Sequence, residues 1–266
     1  MLVLIRGAGD LASGIALRLR HSGMDVVMTD IEKPTSIRRT VSFSEAIRCG
    51  ACAVEDVEAR RAADAREALA LLDRGVVPVL ADPDCACREE LRPDALVDAI
   101  LAKRNLGTAM TDAPVVVGVG PGFTAGRDCH AVVETMRGHT LGRVIYDGSA
   151  LPNTNVPGLI GGFAGERVLR APADGSFTAT ADIGDTVEAG DTVGVVAGAP
   201  MRCTIGGVLR GLLADGVEVR RGMKAGDVDP RSDAAYCHTV SDKALAVGGG
   251  VLEAILHFSG GTGYGK

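Results

Sequence analysis

The chain has 266 residues, a formal net charge of −6, 3% aromatic residues and no tryptophan. That balance argues against nucleic acid or an anionic membrane as the main partner, and so few rings leave no base-stacking platform. The length allows a sizeable core in one large or two smaller domains, Met1–Ile5 is too short for a signal peptide, and no apolar run approaches a membrane span.

The chain opens as strand, glycine turn and helix. Gly7-Ala8-Gly9-Asp10-Leu11-Ala12 fits the looser dinucleotide fingerprint, with Leu11, Ile15 and Leu19 on one helical face. A second strand, Val26–Thr29, ends in Asp30, where a Rossmann domain holds a ribose hydroxyl. Gly7, Gly9, Asp10, Ser13, Gly14 and Asp30 are therefore candidate cofactor-binding residues. Arg38 and Arg39 join them, because paired guanidinium groups suit a phosphate better than a bare ribose.

Ser42-Phe43-Ser44-Glu45 reads as a capping box, and Gly50 closes that short helix. Asp64 and Glu67 start the next helix, with Leu69 and Leu72 facing inward and Gly75 ending it. Val76–Leu80 follows as a strand, placed at an edge or irregular because Pro78 cannot donate to a ladder. Asp82 stands at its carboxyl end, and Asp94–Lys103 reads as a helix with Leu96 and Ile100 on one face. Strand and helix alternate, which predicts a mostly parallel sheet covered on both sides.

Seven cysteines at irregular spacing fit a reducing, cytoplasmic setting rather than a disulfide framework. Cys49-x-x-Cys52 with Cys85-x-Cys87 is weighed as a four-thiolate site and set below buried or incidental thiols. A redox role for Cys85 or Cys87 beside Asp82 stays open.

The central stretch runs from a strand, Val115–Val119, into Gly120-Pro121-Gly122-Phe123. Bare backbone there can approach an anion, so Gly120, Gly122 and Phe123 are further cofactor-binding candidates. Asp128 is expected to cap a helix on which His130 and Glu134, four apart, share a face. His130 is the candidate acid/base or ligand, Glu134 orients it, and Arg137 or Arg127 holds an anion. Asp128 and His139 complete this candidate catalytic group, while no metal ligand set is assigned.

From Val168 short strands alternate with glycine turns. An offset of 32 residues pairs Gly175 with Gly207, Gly184 with Gly216, Val187 with Val219, Gly190 with Gly222 and Gly194 with Gly226. This indicates two copies of one unit, able to close a small barrel like those of biotinyl and lipoyl carrier domains. The carrier lysine is missing: Ala197–Arg202 stands between the halves, and Lys224 falls in the second half. Ser241 then caps a helix with Leu245, Gly249, Leu252 and Leu256 on one face, and the glycines at 248–250 permit close backbone approach. The tail from Ser259 reads as disordered.

The stretches Arg6–Gly14, Arg38–Ala46, Asp98–Thr108, Gly120–Arg143, Asn153–Gly158, Gly226–Asp233 and Ser241–Leu256 together resemble the YqeB family. That family accompanies selenium-dependent molybdenum hydroxylases. The resemblance implies an accessory or maturation role for a xanthine-dehydrogenase-like enzyme. The ligand expected is NAD(P), another nucleotide or the pterin of the molybdenum cofactor. The partners expected are the hydroxylase and a small phosphorylated ligand, with a homo-oligomer compatible. An NAD(P)-dependent oxidoreductase and a non-catalytic docking chaperone are the alternatives. The fold class expected is α/β: a Rossmann-like mostly parallel sheet over 1–164, a biotinyl/lipoyl-like barrel over 165–230, and a return segment with a final helix over 231–266.

Overall fold

The computed structural model describes residues 1–154 and 156–260; most of the tail expected to be disordered lies outside them, as does Asn155 of the Asn153–Gly158 stretch. The chain divides into two units. The first comprises Met1–Glu32, Phe43–Asn153 and Val240–Lys266, and the second Lys33–Ser42 and Thr154–Thr239. The second unit thus takes in Lys33–Ser42 and begins about ten residues before the expected boundary at 165. No helix among the described residues is long and apolar enough to cross a membrane.

The first unit holds β1 (Leu2–Arg6), α1 (Asp10–His21), β2 (Asp25–Asp30), α2 (Glu45–Cys49), β3 (Ala51–Val54), β4 (Val57–Ala62), α3 (Ala65–Leu72) and β5 (Val77–Ala81). It continues with α4 (Arg88–Leu91), β6 (Ala95–Asp98), β7 (Val115–Val119), β8 (Ala131–Val133), β9 (Val144–Ile145) and α5 (Asp242–Phe258). The strands form one nine-stranded sheet in the order β3-β4-β5-β2-β1-β6-β7-β8-β9. All neighbours from β4 through β8 are parallel, and only the edge strands β3 and β9 are antiparallel. The fold is therefore mixed α/β around a large, mostly parallel sheet.

Burial on both faces explains why the inner strands read as unbroken apolar runs. On one face Leu4, Val27, Leu80, Leu96, Val116 and Val132 cluster with Ala65, Ala68 and Leu71 of α3. Elsewhere α1 and α5 pack closely. A Cβ on Gly14 would lie 2.5 Å from that of Ala244, and one on Gly248 would lie 3.0 Å from the carbonyl oxygen of Gly14. Ser241 caps α5 as expected, its Oγ accepting from the N–H of Ala244 at 3.2 Å.

Several expected elements differ. Asp94–Lys103 is not a helix; β6 lies there between β1 and β7. Leu96 and Ile100 satisfy a helical spacing and a strand's alternation equally, so periodicity alone cannot separate them. Nor does a helix follow Gly120–Phe123. The N–H of His130 bonds the carbonyl of Val116 and that of Glu134 the carbonyl of Arg143, so Ala131–Val133 becomes a strand. Helices therefore do not alternate with strands beyond β6, where irregular segments lead into β7 and β8 and α5 packs close to β8. Pro78 lies inside the sheet but precedes the β2 pairing, which begins at Val79, so its missing N–H falls at the strand's start. On α3 Ala65, Ala68 and Leu71 face the core while Leu69 is exposed. On α5 the buried face is Ala244, Val247, Gly248, Val251 and Ile255, not the Leu245–Leu256 stripe. The N-cap of α2 is Ser44, whose side chain makes no cap bond, while Ser42 Oγ donates to the carbonyl of Arg38.

The second unit holds β10 (Val168–Arg170), β11 (Gly175–Ala179), β12 (Thr186–Val187), β13 (Thr192–Val196), β14 (Ala199–Arg202), β15 (Gly207–Leu212), β16 (Glu218–Val219) and β17 (Lys224–Asp229). They form two four-stranded antiparallel sheets, β10-β17-β15-β12 and β14-β13-β11-β16. The repeat is reciprocal. β11, β12 and β13 correspond to β15, β16 and β17, yet β11 pairs with β16 and β15 with β12. Gly175 opposes Val219, and its counterpart Gly207 opposes Val187. Phe177 and its counterpart Leu209 are both fully buried. Each copy thus completes the other's sheet.

Charge breaks this symmetry. Asp227 and Asp229 are buried where the first copy has Val195 and Ala197. Asp227 pairs with Arg167 at 3.0 Å and with Arg210 at 2.5 Å; Asp229 pairs with Arg210 at 3.0 Å and with Arg231 at 2.6 Å.

Candidate functional site

In the nine-stranded sheet the chain passes from β1 to β2, out to the edge at β3 and back through β4 and β5, then crosses to β6 on the other side of β1. Loops leaving the carboxyl ends of β1 and β6 diverge, and in open α/β sheets ligands bind at such a switch point. Arg6 ends β1 and Asp98 ends β6, both nearly buried. Arg6 Nη1 and Asp98 Oδ2 are 3.5 Å apart. Thr108 joins them, its Oγ1 donating to Asp98 at 2.6 Å and accepting from Arg6 at 3.1 Å. Arg6 also donates to the carbonyls of Pro83 and Leu106, which fixes its guanidinium plane. Burial raises the pKa of Asp98, and the hydrogen bond from Thr108 offsets it only in part.

A cavity of about 210 Å³ opens beside this group, lined by Arg6, Cys85, Arg88, Thr108, Asp84 and Asp112 among others. The loop after β5 supplies Cys85. Asp82 shapes that loop by accepting from the N–H of Cys87 at 2.8 Å. Burial raises the pKa of Asp82, but the backbone N–H groups of Cys87 and Ala86 outweigh it and hold the carboxyl below its ordinary range. The cavity lining thus combines two arginines, two carboxylates, a hydroxyl and a thiol, with the Asp98 carboxyl bonded behind Thr108. Among the described residues no cluster of three or more His, Cys, Asp or Glu side chains is arranged to hold a metal ion.

The glycine loop is filled by the protein itself. A Cβ on Gly7 would lie 2.9 Å from the main chain of Ala99, so this glycine, at φ +105°, permits packing against the end of β6. Asp30 accepts from the N–H of Ala8 at 2.9 Å, occupying a donor that a phosphate would use. Burial raises its pKa against the N–H bonds from Ile31 and Ala8. Gly9 caps α1, Asp10 accepts from the N–H of Leu11, and Ser13 Oγ bridges Ala8 and Phe43. Gly14 lies in the α1–α5 contact. Arg38 and Arg39 belong to the second unit, where they donate to the carbonyls of Tyr236, Thr239 and Leu212.

The expected catalytic group is also dispersed. His130 Nδ1 accepts from the N–H of Val116 at 2.9 Å, and its ring tilts against Phe258 at 5.4 Å. Glu134 is 2% exposed and accepts from the N–H groups of Met136 at 2.6 Å and Leu151 at 2.8 Å. No hydrogen bond joins His130 to Glu134. Arg137 is held by Asp242, Asp128 accepts from the N–H of Thr124 rather than capping a helix, and His139 is exposed. The Arg127 hydrogen bond holds Asp128 below the usual carboxylate range. Gly120 packs on Thr135, Gly122 on the backbone of Arg104, and Phe123 covers Gly118 in the core. Glu134→Ala is therefore expected to lower stability by about 1–3 kcal/mol, because it strands buried N–H groups. Chemical denaturation of the variant measures this; an unchanged midpoint would return Glu134 to the list of ligand-facing groups.

Sequence reasoning missed Arg6, Asp98 and Thr108. The available signal was a charge ending each of two apolar runs, Leu2–Ile5 and Ala95–Val97. Reading the second run as a helix hid it.

No protein-family model matches the chain. The chain is 53% identical over 255 residues to the uncharacterized protein YqeB of Escherichia coli (strain K12), covering 96% of this chain and 47% of that protein. This supports kinship with YqeB, and the chain spans about half the length of that curated relative. Among solved structures, an aspartoacylase family protein from Mesorhizobium loti aligns with a TM-score of 0.24 and 12% identity, over 56% of this chain and 60% of that one. The ectoine utilization protein EutE from Ruegeria pomeroyi aligns with a TM-score of 0.22 and 20% identity, over 32% of this chain and 27% of that one. Likeness at that level carries no conclusion about the reaction.

Proposed function

With kinship to YqeB as the premise, we propose that the chain is an accessory or maturation factor for a selenium-dependent molybdenum hydroxylase. Its ligand site is the cavity at the carboxyl ends of β1 and β6, and its first unit is Rossmann-like. The observation carrying this reading is the buried Arg6–Asp98–Thr108 group at the switch point of the sheet. A fixed guanidinium and a buried carboxyl side by side suit a small polar ligand with both donor and acceptor edges, such as a pterin or a nucleotide base.

The test is mass spectrometry and elemental analysis of what the chain carries through native purification, paired with Thr108→Val co-expressed with the hydroxylase. A bound pterin, molybdenum or selenium, with hydroxylase activation reduced about tenfold by the variant, is the expected result. Bound NAD(P) replaces this reading with an oxidoreductase. An empty protein that still binds the hydroxylase replaces it with a docking chaperone.

The second unit is read here as a biotinyl/lipoyl-like barrel used for structure or docking. The hairpin between its halves turns at Ala197 and Gly198, both at positive φ, and offers no lysine. Intact mass is expected to show neither biotin nor lipoate; either group mapped to Lys224 overturns this.

A further inference from the structure

We propose that the second unit pairs with that of another copy of this chain, the acidic turn after β12 of each meeting the basic turn after β16 of the other. The inference goes beyond the accessory role and does not depend on it.

The two turns are built alike, bond for bond. Gly190 and Gly222 both turn at positive φ, +99° and +84°. The N–H of Gly190 donates to the carbonyl of Cys203 at 2.8 Å, and that of Gly222 to the carbonyl of Ala171 at 2.9 Å. The N–H of Cys203 donates in turn to the carbonyl of Asp191 at 2.8 Å, and that of Ala171 to the carbonyl of Met223 at 2.9 Å. Even the flanking arginines match. Arg202 Nη1 donates to the carbonyl of Gly190 at 2.8 Å, and Arg170 Nη1 to that of Gly222 at 2.9 Å. Every partner lies 32 residues from its counterpart. The fold therefore asks for these bonds and a glycine at each turn and leaves the outward side chains open.

Those side chains carry opposite charge. Glu188, Ala189 and Asp191 are exposed in the first turn, and Arg220, Arg221 and Lys224 in the second. Glu188 corresponds to Arg220, Ala189 to Arg221 and Thr192 to Lys224. Over 182–192 the chain has four carboxylates and no base, since Asp182 and Asp185 join the acidic turn. Over 214–224 three bases outnumber Asp215 and Glu218, and the Asp215 carboxylate is taken by the N–H of Ala179 at 2.6 Å. Arg170 adds to the basic side, opposite Lys224 in the ladder, while the nearby Asp174 carboxylate accepts from the N–H of Arg221 at 2.6 Å. Like charges held together repel within one molecule. A second copy relieves both turns at once, because each molecule carries both halves of the complement. A foreign partner of one sign would account for only one of them. Under a two-fold axis the two contacts are equivalent, so the pair closes. Exposed ion pairs are individually weak, so the contact rests on several charges together and yields to salt.

The test is sedimentation velocity of the full chain at about 0.05 M and about 0.5 M NaCl, between which screening shortens the reach of charge roughly threefold. A dimer at low salt is expected, with a dissociation constant about tenfold higher at high salt. Arg220→Glu with Arg221→Glu makes both turns acidic, and Asp182→Lys with Glu188→Arg and Ala189→Arg makes both basic. Each variant alone should sediment as a monomer with an unchanged melting temperature. An equimolar mixture of the two should recover the dimer. A wild type that is monomeric at low salt overturns the proposal, as does a dimer indifferent to salt or a mixture that stays monomeric. The wild-type salt dependence stands as a test even if a variant fails to fold.

Discussion

Replacing Asp229 by alanine is expected to destabilise the protein by about 2–3 kcal/mol, the effect of removing charge-assisted hydrogen bonds from a buried cluster. The Asp229 side chain is fully buried, and its carboxylate receives Arg210 at 3.0 Å and Arg231 at 2.6 Å. Arg210 would keep its bonds to Asp227 at 2.5 and 2.9 Å, so the loss falls mainly on Arg231, which stays over the Tyr236 ring but loses its Asp229 carboxylate. Burial pushes the Asp229 carboxyl up, but the bonds from Arg231 and the charge of Arg210 outweigh it and hold the pKa below the ordinary 3.8. A depressed folded pKa contributes stability above 3.8 and loses it as pH falls through the lower folded value. The wild-type denaturation midpoint should therefore drop below about pH 4. Asp229→Asn should lack that part of the drop. Equal acid sensitivity in both proteins would show that other carboxylates govern it.

Gly14→Val is expected to cost about 3 kcal/mol and to lower the melting temperature by several degrees. As a cofactor-binding candidate, Gly14 would be a place where a larger residue blocks binding and spares the fold. The structure instead sets it against Ala244, with space for no further carbon. A valine must push α5 away from α1, which loosens the buried face of α5 that carries Ala244, Val247, Gly248 and Val251. Gly9→Val offers the comparison, because Gly9 lies at the cap of α1 with φ −72°, a conformation open to any residue. If Gly14→Val keeps its melting temperature while Gly9→Val loses it, the helix contact is assigned to the wrong glycine.

How much of this was legible depends on the kind of signal. The opening strand, turn and helix were legible because apolar periodicity and glycine placement agree there; Asp64 and Ser241 marked two further helix starts as caps, although the apolar stripes read on those helices are not their buried faces. The repeat was clearest, since glycines at positive φ leave a mark no other residue can replace: Gly184, Gly190, Gly216 and Gly222 all turn that way. Buried parallel strands were not legible. Ala95–Asp98 and Ala131–Val133 are short and apolar on both faces, so they lack a period that separates strand from helix. The site followed the same division. Cys85 and Asp82 were marked by position after a strand, whereas Arg6, Asp98 and Thr108 meet only through the sheet order. His130 and Glu134 misled because titratable groups near glycines also serve to bond loop N–H groups, as Glu134 does at Met136 and Leu151.

The way the two units interleave along the chain sets the order in which the protein can mature on the ribosome. Gly14 of α1 meets Ala244 of α5, yet the whole of Thr154–Thr239 is synthesised between them. Until α5 emerges, the face of α1 that carries Gly14 has no cover. Within the second unit β11 faces a similar wait, since its partner β16 is translated about 40 residues later. Pairings of such long sequence separation close late and leave apolar surface open meanwhile. A nascent chain stalled before Asp242 should therefore be a chaperone client, and release past Phe258 should be the step that makes its first unit resistant to protease.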